Sequence, residues 1–445
     1  MTLKVVAMET SVVDLHYPKD GGNDALKHAF ISALPRLVKE AGVQAQAFVK
    51  EAPRKGDMVT VSAEALDAIC TLFAQQQGMA TQEPEAVRKL LFGAPVPHAG
   101  GSLANTFDAM IYSEIDGKKI FDGTFVCTAG KDAAGAYFAQ SFAGHVAAFA
   151  HGRQMVSHII PVDGDRIMIT APSFAESSDE YCYADDLKTD PKLARALAEA
   201  DVVMVGGYLE YAGNLRRVLG AAADAVKMRA PEDNVRFVFT LAAQGIAEKV
   251  TKTVLQPVGN MVVHGNTGEF RRHNETDHDW RQRFAGAFVD KDGNPLTGRE
   301  EETAKNANAD YINAKQAAND AASAEAHSRA KTLTDASVAY VVTNGGRPAR
   351  VVTRDAITML PNTMIDKAKI KSTVGAGDNH VAGYWVGKAL GMDEAGCLSM
   401  AGAFARAVIQ VPEARLPRDA VYTSKTGKVF RGPIAAIDHA TLDRL

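Results

Sequence analysis

Six short apolar runs, rich in β-branched or aromatic residues, constrain this chain more than anything else in it. They are Lys4 to Ala7, Thr124 to Cys127, Val202 to Val205, Arg236 to Thr240, Met261 to Val263 and Ala339 to Val342, and longer helical patterns separate them. Strands alternating with helices in this way predict an α/β protein with a mostly parallel sheet. The runs are nearly continuous in apolar character rather than alternating, as expected of strands covered by helices on both faces. Functional groups of such sheets gather beyond the carboxyl ends of the strands.

Two regions break the rhythm. After the first strand, His16 to about Leu91 carries helical patterns at Asp24 to Glu40 and Ala63 to Gln76, with a turn-rich joint at Pro53-Arg54-Lys55-Gly56-Asp57. The second region, 271–336, opens polar, turns at Lys291-Asp292-Gly293-Asn294-Pro295 and becomes an Ala-, Asn-, Lys- and Glu-rich helix with few large apolar residues. Such a helix has little with which to build a core of its own. Both regions therefore read as additions to one α/β domain spanning 1–445, and the 445 residues, 46% of them hydrophobic, suffice for a large core.

Charge and cysteine usage exclude several classes. A formal net charge of -4 without a dense Lys/Arg block leaves no footprint for nucleic acid or an anionic membrane. The 4 cysteines, Cys70, Cys127, Cys182 and Cys397, are far apart with no metal-ligand spacing, which suits a reducing compartment. Lys4, Glu9 and Asp14 interrupt the apolar start, so it lacks the pattern of a signal peptide, and no stretch reaches the ~20 apolar residues of a membrane span. A cytoplasmic protein is expected.

The sharpest local signal is Ser372-Thr373-Val374-Gly375-Ala376-Gly377-Asp378, leading into a helical pattern that ends at Gly391. A small-residue loop opening a helix presents backbone N–H groups where the helix dipole adds positive charge, and so can hold phosphoryl oxygens. Asp378 is a poor phosphate ligand but is well placed to take a proton from an attacking alcohol. Taken alone, G-A-G-D also fits a capped helix start. No G-x-x-x-x-G-K-[ST], no G-x-G-x-x-G after the first strand, no H-E-x-x-H and no G-x-S-x-G occurs, which removes support for P-loop, dinucleotide, zincin and serine-hydrolase chemistry.

With these residues the chain resembles the ribokinase-like, or phosphofructokinase-B (PfkB), carbohydrate kinases, whose signature D-T-x-G-A-G-D opens a helix. Further motifs follow in the family's order. His98-Ala99-Gly100-Gly101-Ser102-Leu103-Ala104-Asn105 resembles its Gly-Gly turn with a downstream Asn, and Gly130-Lys131-Asp132 with Gly135 its G-K-D. Asn266-Thr267-Gly268-Glu269 resembles N-x-x-E, and Thr343-Asn344-Gly345 the T-x-G of the nucleotide loop. Lys55-Gly56-Asp57-Met58, Asp165-Arg166-Ile167-Met168 and the run Val203 to Leu209 are similar to stretches of adenosine and inosine-guanosine kinases.

The resemblance implies a three-layer α/β sandwich with a small lid near 15–62 and 152–172. It assigns base chemistry to Asp378, transition-state stabilisation to Gly375, Ala376 and Gly377, and acceptor binding to Asp14 at the end of strand one, Gly100, Gly101 and Asn105. Thr343, Gly345 and Asn266 fall on the nucleotide side, and Asn266 with Glu269 organise magnesium, largely through water. ATP and Mg2+ are the implied cofactors, with a monovalent cation left open, and the implied partner is a small nucleoside or sugar. The expected reaction is phosphorylation of a primary hydroxyl, most naturally the 5′ hydroxyl of a nucleoside. The rivals are a ribose or fructose kinase of the same fold and a nonenzymatic binding protein. Ser372 in place of the signature Asp, Glu9 in place of a small Gly, and Asn379-His380 after the base depart from the pattern. His380 reads either as a pocket group or as a satisfied helix residue, and the His273 to Asp279 cluster either as a divalent-cation site or, more simply, as a solvated entry to the second region.

Overall fold

A computed structural model describes residues 2–42, 58–151, 154–162, 165–171, 183–227, 235–242, 244–247, 250, 261–266, 269, 339–345, 347–352, 357–360 and 365–445. The region 271–336 with its turn and His273 to Asp279 cluster, the Lys55-Gly56-Asp57 joint and Cys182 lie outside these residues. The chain forms two compact units: Met1–Glu9, Asn105–Thr124 and Cys182–Leu445 in one, Thr10–Ala104 and Phe125–Tyr181 in the other. The segments expected as a lid contribute described residues to the second.

The first unit is built on strands β1 (Leu3–Met8), β11 (Val202–Gly206), β12 (Arg236–Thr240), β13 (Met261–Asn266), β14 (Ala339–Asn344), β15 (Arg347–Val352) and β16 (Ile357–Leu360), numbered along the chain. Their sheet order is β16-β15-β14-β13-β12-β11-β1. Pairing is parallel from β1 through β14 and antiparallel for β15 and β16. Each apolar run of the sequence lies inside a strand, and Val202–Gly206 is buried throughout, as two-sided covering requires. The unit also holds a small sheet of β17 (Val421–Thr423), β18 (Val429–Arg431), β5 (Glu114–Ile115) and β6 (Lys118–Lys119), in that order.

The second unit holds β3 (Met58–Thr60), β10 (Asp165–Ala171), β9 (Met155–Val162), β2 (Val12–His16) and β4 (Val96–Gly100), in that sheet order. β7 (Phe121–Gly130) begins in the first unit and continues in the second, where β8 (Val146–His151) pairs with it in parallel. Helices α1 (Asp24–Glu40), α2 (Ala63–Gln76) and α3 (Pro84–Phe92) have the boundaries their caps dictate. Asn23 accepts from the Leu26 amide, Ser62 from that of Ala65, and Glu83 precedes Pro84 in the first turn. Phe30, Leu34, Ile69, Phe73, Leu91 and Ile160 form their shared core. Among the described residues the other α-helices are α4 (Ser102–Ile111), α5 (Ala133–Ser141), α6 (Ala184–Thr189), α7 (Pro191–Glu199), α8 (Leu215–Val226), α9 (Gln244–Ala247), α10 (Ala376–Ala389), α11 (Glu394–Val408) and α12 (His439–Leu442).

One expectation is corrected here. Asp14 does not end the first strand: β1 stops at Met8, and Asp14 lies in the separate strand β2, in the other unit. The polar stretch Glu9-Thr10-Ser11 breaks the pairing between two apolar runs that read as one.

Candidate active site

The loop before α10 takes its shape from a glycine and two downstream carbonyls. Gly375 has φ +76, and a Cβ there would collide with the Ala414 carbonyl, so only glycine fits. Asn379, fully buried, donates its carboxamide N–H groups to Gly375 O at 2.9 Å and Ala414 O at 3.2 Å. Ser372 Oγ accepts from Val374 N at 3.1 Å, the local turn contact that a carboxylate at that position would also make. The amide of Gly377, in the first turn, finds no backbone acceptor among the described residues. Asp378 therefore sits where a helix dipole and exposed amides favour negative charge.

Asp378 is held from α4. Asn105 Nδ2 donates to its Oδ2 at 2.9 Å, and Thr106 Oγ1 to its backbone oxygen at 2.9 Å. Asn105 is only 5% exposed, and its Oδ1 accepts from Arg415 Nε at 3.1 Å. Arg415 also donates through Nη1 to Asp108 Oδ1 at 3.0 Å, and Arg418 donates to the same buried oxygen through Nε and Nη2. Two guanidinium groups thus pair the buried Asp108 carboxylate, as an interior charge requires. Arg418 additionally lies over the Tyr112 ring at 3.9 Å. Neither arginine belongs to a recognised motif, and no spacing in the sequence points to them.

Asn266, the last residue of β13, and Glu269 form a reciprocal pair: Glu269 N donates to Asn266 Oδ1 at 3.0 Å, while Asn266 N and Nδ2 donate to the two carboxylate oxygens at 2.9 and 2.7 Å. This is a capping-box geometry, and it explains the N-x-x-E spacing. Burial pushes the Glu269 carboxyl up to about 7, and the nearby charge of Asp378 adds to the rise. Thr343 pairs with Asn266 in the parallel register of β14 and β13, and Gly345 follows at φ +55. Two hydrogen bonds from Asn266 offset part of the cost of burying the Glu269 carboxylate, and Asp378 lies within electrostatic range of it; among the described residues no group of three or more His, Cys, Asp or Glu side chains gathers to hold a metal ion.

Beneath these groups lie two neutral imidazoles. His264 accepts from Trp385 Nε1 at 3.2 Å, and burial lowers its pKa well below the ordinary value. His380 is 5% exposed, neither ring nitrogen has a hydrogen-bond partner among the described residues, and burial brings its pKa down to about 4. It is an interior helix residue.

A cleft of about 1000 Å³ borders the same loop, with Leu360, Ile365, Ser399, Ala403, Ala407 and Ile437 among its lining. Gln410, also on its wall, follows Ile409, whose carbonyl accepts from the amides of Lys371 and Ser372. None of the motif residues lines it.

In the second unit Asp14 pairs with His98 across β2 and β4, and its carboxylate lies against Gly100, where a Cβ would strike it. Gly101 follows at φ +101, a conformation suited to glycine, and the chain then enters α4. The G-K-D motif has a packing role: Asp132 caps α5 by accepting from Gly135 N at 2.9 Å, and a Cβ on Gly135 would strike the Gly130 carbonyl.

Comparison with known proteins agrees with this architecture. Residues 302–420 match the model of the pfkB family carbohydrate kinases. Adenosine kinase from Schistosoma mansoni in complex with 2-fluoroadenosine superposes with a TM-score of 0.58 at 15% identity, covering 93% of this chain and 96% of that one. A probable sugar kinase from Rhizobium etli gives 0.57 at 16% identity, and adenosine kinase from Sinorhizobium meliloti 0.55 at 17%, each with the same coverage. No curated protein matches the chain. At these identities the likeness establishes the fold: the chain has the α/β fold of these kinases, and its residues 302–420 are similar to the pfkB family carbohydrate kinases.

Proposed function

We propose that this protein is a kinase that transfers the terminal phosphoryl group of ATP to a primary hydroxyl of a ribose-containing molecule, with the 5′ hydroxyl of a nucleoside as the preferred acceptor. The observation that carries the reading is Asp378, a carboxylate oriented by Asn105 at the amide-rich start of α10. A carboxylate so placed takes the proton of an alcohol as it attacks, while the amides of Gly375, Ala376 and Gly377 meet charge on the phosphoryl oxygens. Asn266 and Glu269 would hold magnesium through water, and that ion supplies charge neutralisation at the phosphates.

Thr343 and Gly345 line the nucleotide side, next to Asn266 in the sheet register. The cleft beside the loop, with apolar Leu360, Ala403, Ala407 and Ile437, is the proposed seat of the ATP base. Asp14, with the close backbone of Gly100 and Gly101, is the proposed acceptor for vicinal ribose hydroxyls, since one carboxylate accepts from two at once.

Sequence similarity at Asp165 to Met168 and Val203 to Leu209 favours a nucleoside, and the 2-fluoroadenosine bound by the Schistosoma mansoni adenosine kinase points the same way. A sugar kinase is the second reading, supported by the Rhizobium etli neighbour. ADP release with ATP and magnesium across adenosine, inosine, guanosine, ribose and fructose decides between them. Turnover on a nucleoside that disappears in Asp378→Ala is the expected result. Turnover on a free sugar alone moves the protein to the second reading, and ATP binding without Asp378-dependent turnover on any acceptor overturns the kinase assignment.

A further inference from the structure

We propose that Arg415 is a positioning residue that fixes which end of the Asn105 carboxamide faces Asp378, and so sets the orientation of the reacting carboxylate. The inference rests on the reading of Asp378 as the base, and names a group no motif contains. A guanidinium only donates. Its Nε–H, 3.1 Å from Asn105, therefore makes that amide's oxygen the acceptor and turns Nδ2 toward Asp378 Oδ2, 2.9 Å away. The reversed amide would set donor against donor at Arg415 and an oxygen against the carboxylate. That hydrogen bond sets the orientation of the carboxylate proposed to receive the proton of an acceptor alcohol.

Arg415 is itself immobilised. Its side chain is 14% exposed, and Nη1 donates at 3.0 Å to Asp108, which is 1% exposed and held from the other side by Arg418. The planar fork thus ties a buried anion to an amide in one fixed geometry, a task the point charge of a lysine performs poorly. Thr106, next to Asn105 on α4, secures the Asp378 backbone at 2.9 Å, so the carboxylate has one pinned end and one directed end.

Arg415→Ala should lower kcat by about 10- to 100-fold, the range for losing the support of a reacting group, with little change in the KM for ATP. Arg415→Lys should recover part of the loss. In an Asn105→Ser background Arg415→Ala should add nothing further to the loss in kcat, because it acts through the missing amide. Arg418→Ala takes a partner from Asp108 and none from Asn105; it should cost stability and lower kcat less than Arg415→Ala does. An unchanged kcat in Arg415→Ala, or additive losses in the double variant, would overturn the proposal.

A readout independent of turnover separates this inference from the kinase reading. The side-chain 15N resonance of Asn105, assigned by its loss in Asn105→Ser, should move in both Asp378→Ala and Arg415→Ala. If no acceptor supports turnover, that resonance still decides: movement in both variants sustains the network, and an unmoved resonance in Arg415→Ala removes it.

Discussion

Each unit contains a buried polar network, and the two end differently. In the second, Gln154 donates to Ser11 O at 2.9 Å and accepts from Gly130 N at 3.0 Å, its own amide donates to Asp132 at 2.9 Å, and Ser11 Oγ donates to Thr128 O. Every arm returns to backbone or to a helix cap. In the first, the line from Arg418 through Asp108, Arg415 and Asn105 finishes on Asp378, which is only half-buried. A network that closes on itself holds strands together. One that ends on a partly exposed carboxylate passes its order to a group that can react.

The contrast can be broken at its open end first. Asp378→Asn should cut turnover by ~10²- to 10⁴-fold, with the thermal midpoint nearly unchanged. A midpoint that falls along with turnover would make the open network a structural one.

Glu269 gives the next largest effect. Its folded value of about 7 lies above the ordinary 4.5, so the folded chain holds a proton that the unfolded chain has released. Its contribution to stability is therefore fully present below pH 4.5 and is lost as pH rises through 7, an order of roughly 3 kcal/mol without metal. Denaturant titrations should show this downward component in the wild type and not in Glu269→Gln, and magnesium should offset it near pH 8. Parallel pH profiles for the two proteins would refute it.

Gln154→Ala tests the closed end. Orphaning the half-buried Gly130 amide and the buried Ser11 carbonyl should cost roughly 1–3 kcal/mol of stability while turnover per folded molecule is kept. A loss of turnover at full stability would show that this network also reaches the chemistry.

Strands β1, β11, β12, β13 and β14 of the first unit were legible because two-sided burial demands unbroken apolar runs, whereas β15, β16 and the small sheet were not; α1 and α2 were legible because Asn23 and Ser62 cap them. β2 was not legible as a separate strand, since Val12 and Val13 follow the first run after only three polar residues. The motifs had readable physical causes: close approach at Gly375, Gly100 and Gly135, and a capping box at Asn266 and Glu269. Arg415 was invisible because it meets Asn105 across 310 positions of chain, and nothing local marks an arginine that serves an amide. Sequence left His380 open between a pocket group and a helix residue and marked Asn379 only as a departure from the motif; helical geometry turns both inward, where they are buried.

The Asn379 contact has a genealogical consequence. Its carboxamide reads a backbone carbonyl at 414, and no side-chain exchange at 414 removes a carbonyl. Substitutions drifting through position 414 are thus invisible to this contact, while a change at 379 alone unfastens the loop. In a lineage of such proteins, identity at 379 would be retained for the shape of the turn it ties, whatever molecule the turn has come to serve.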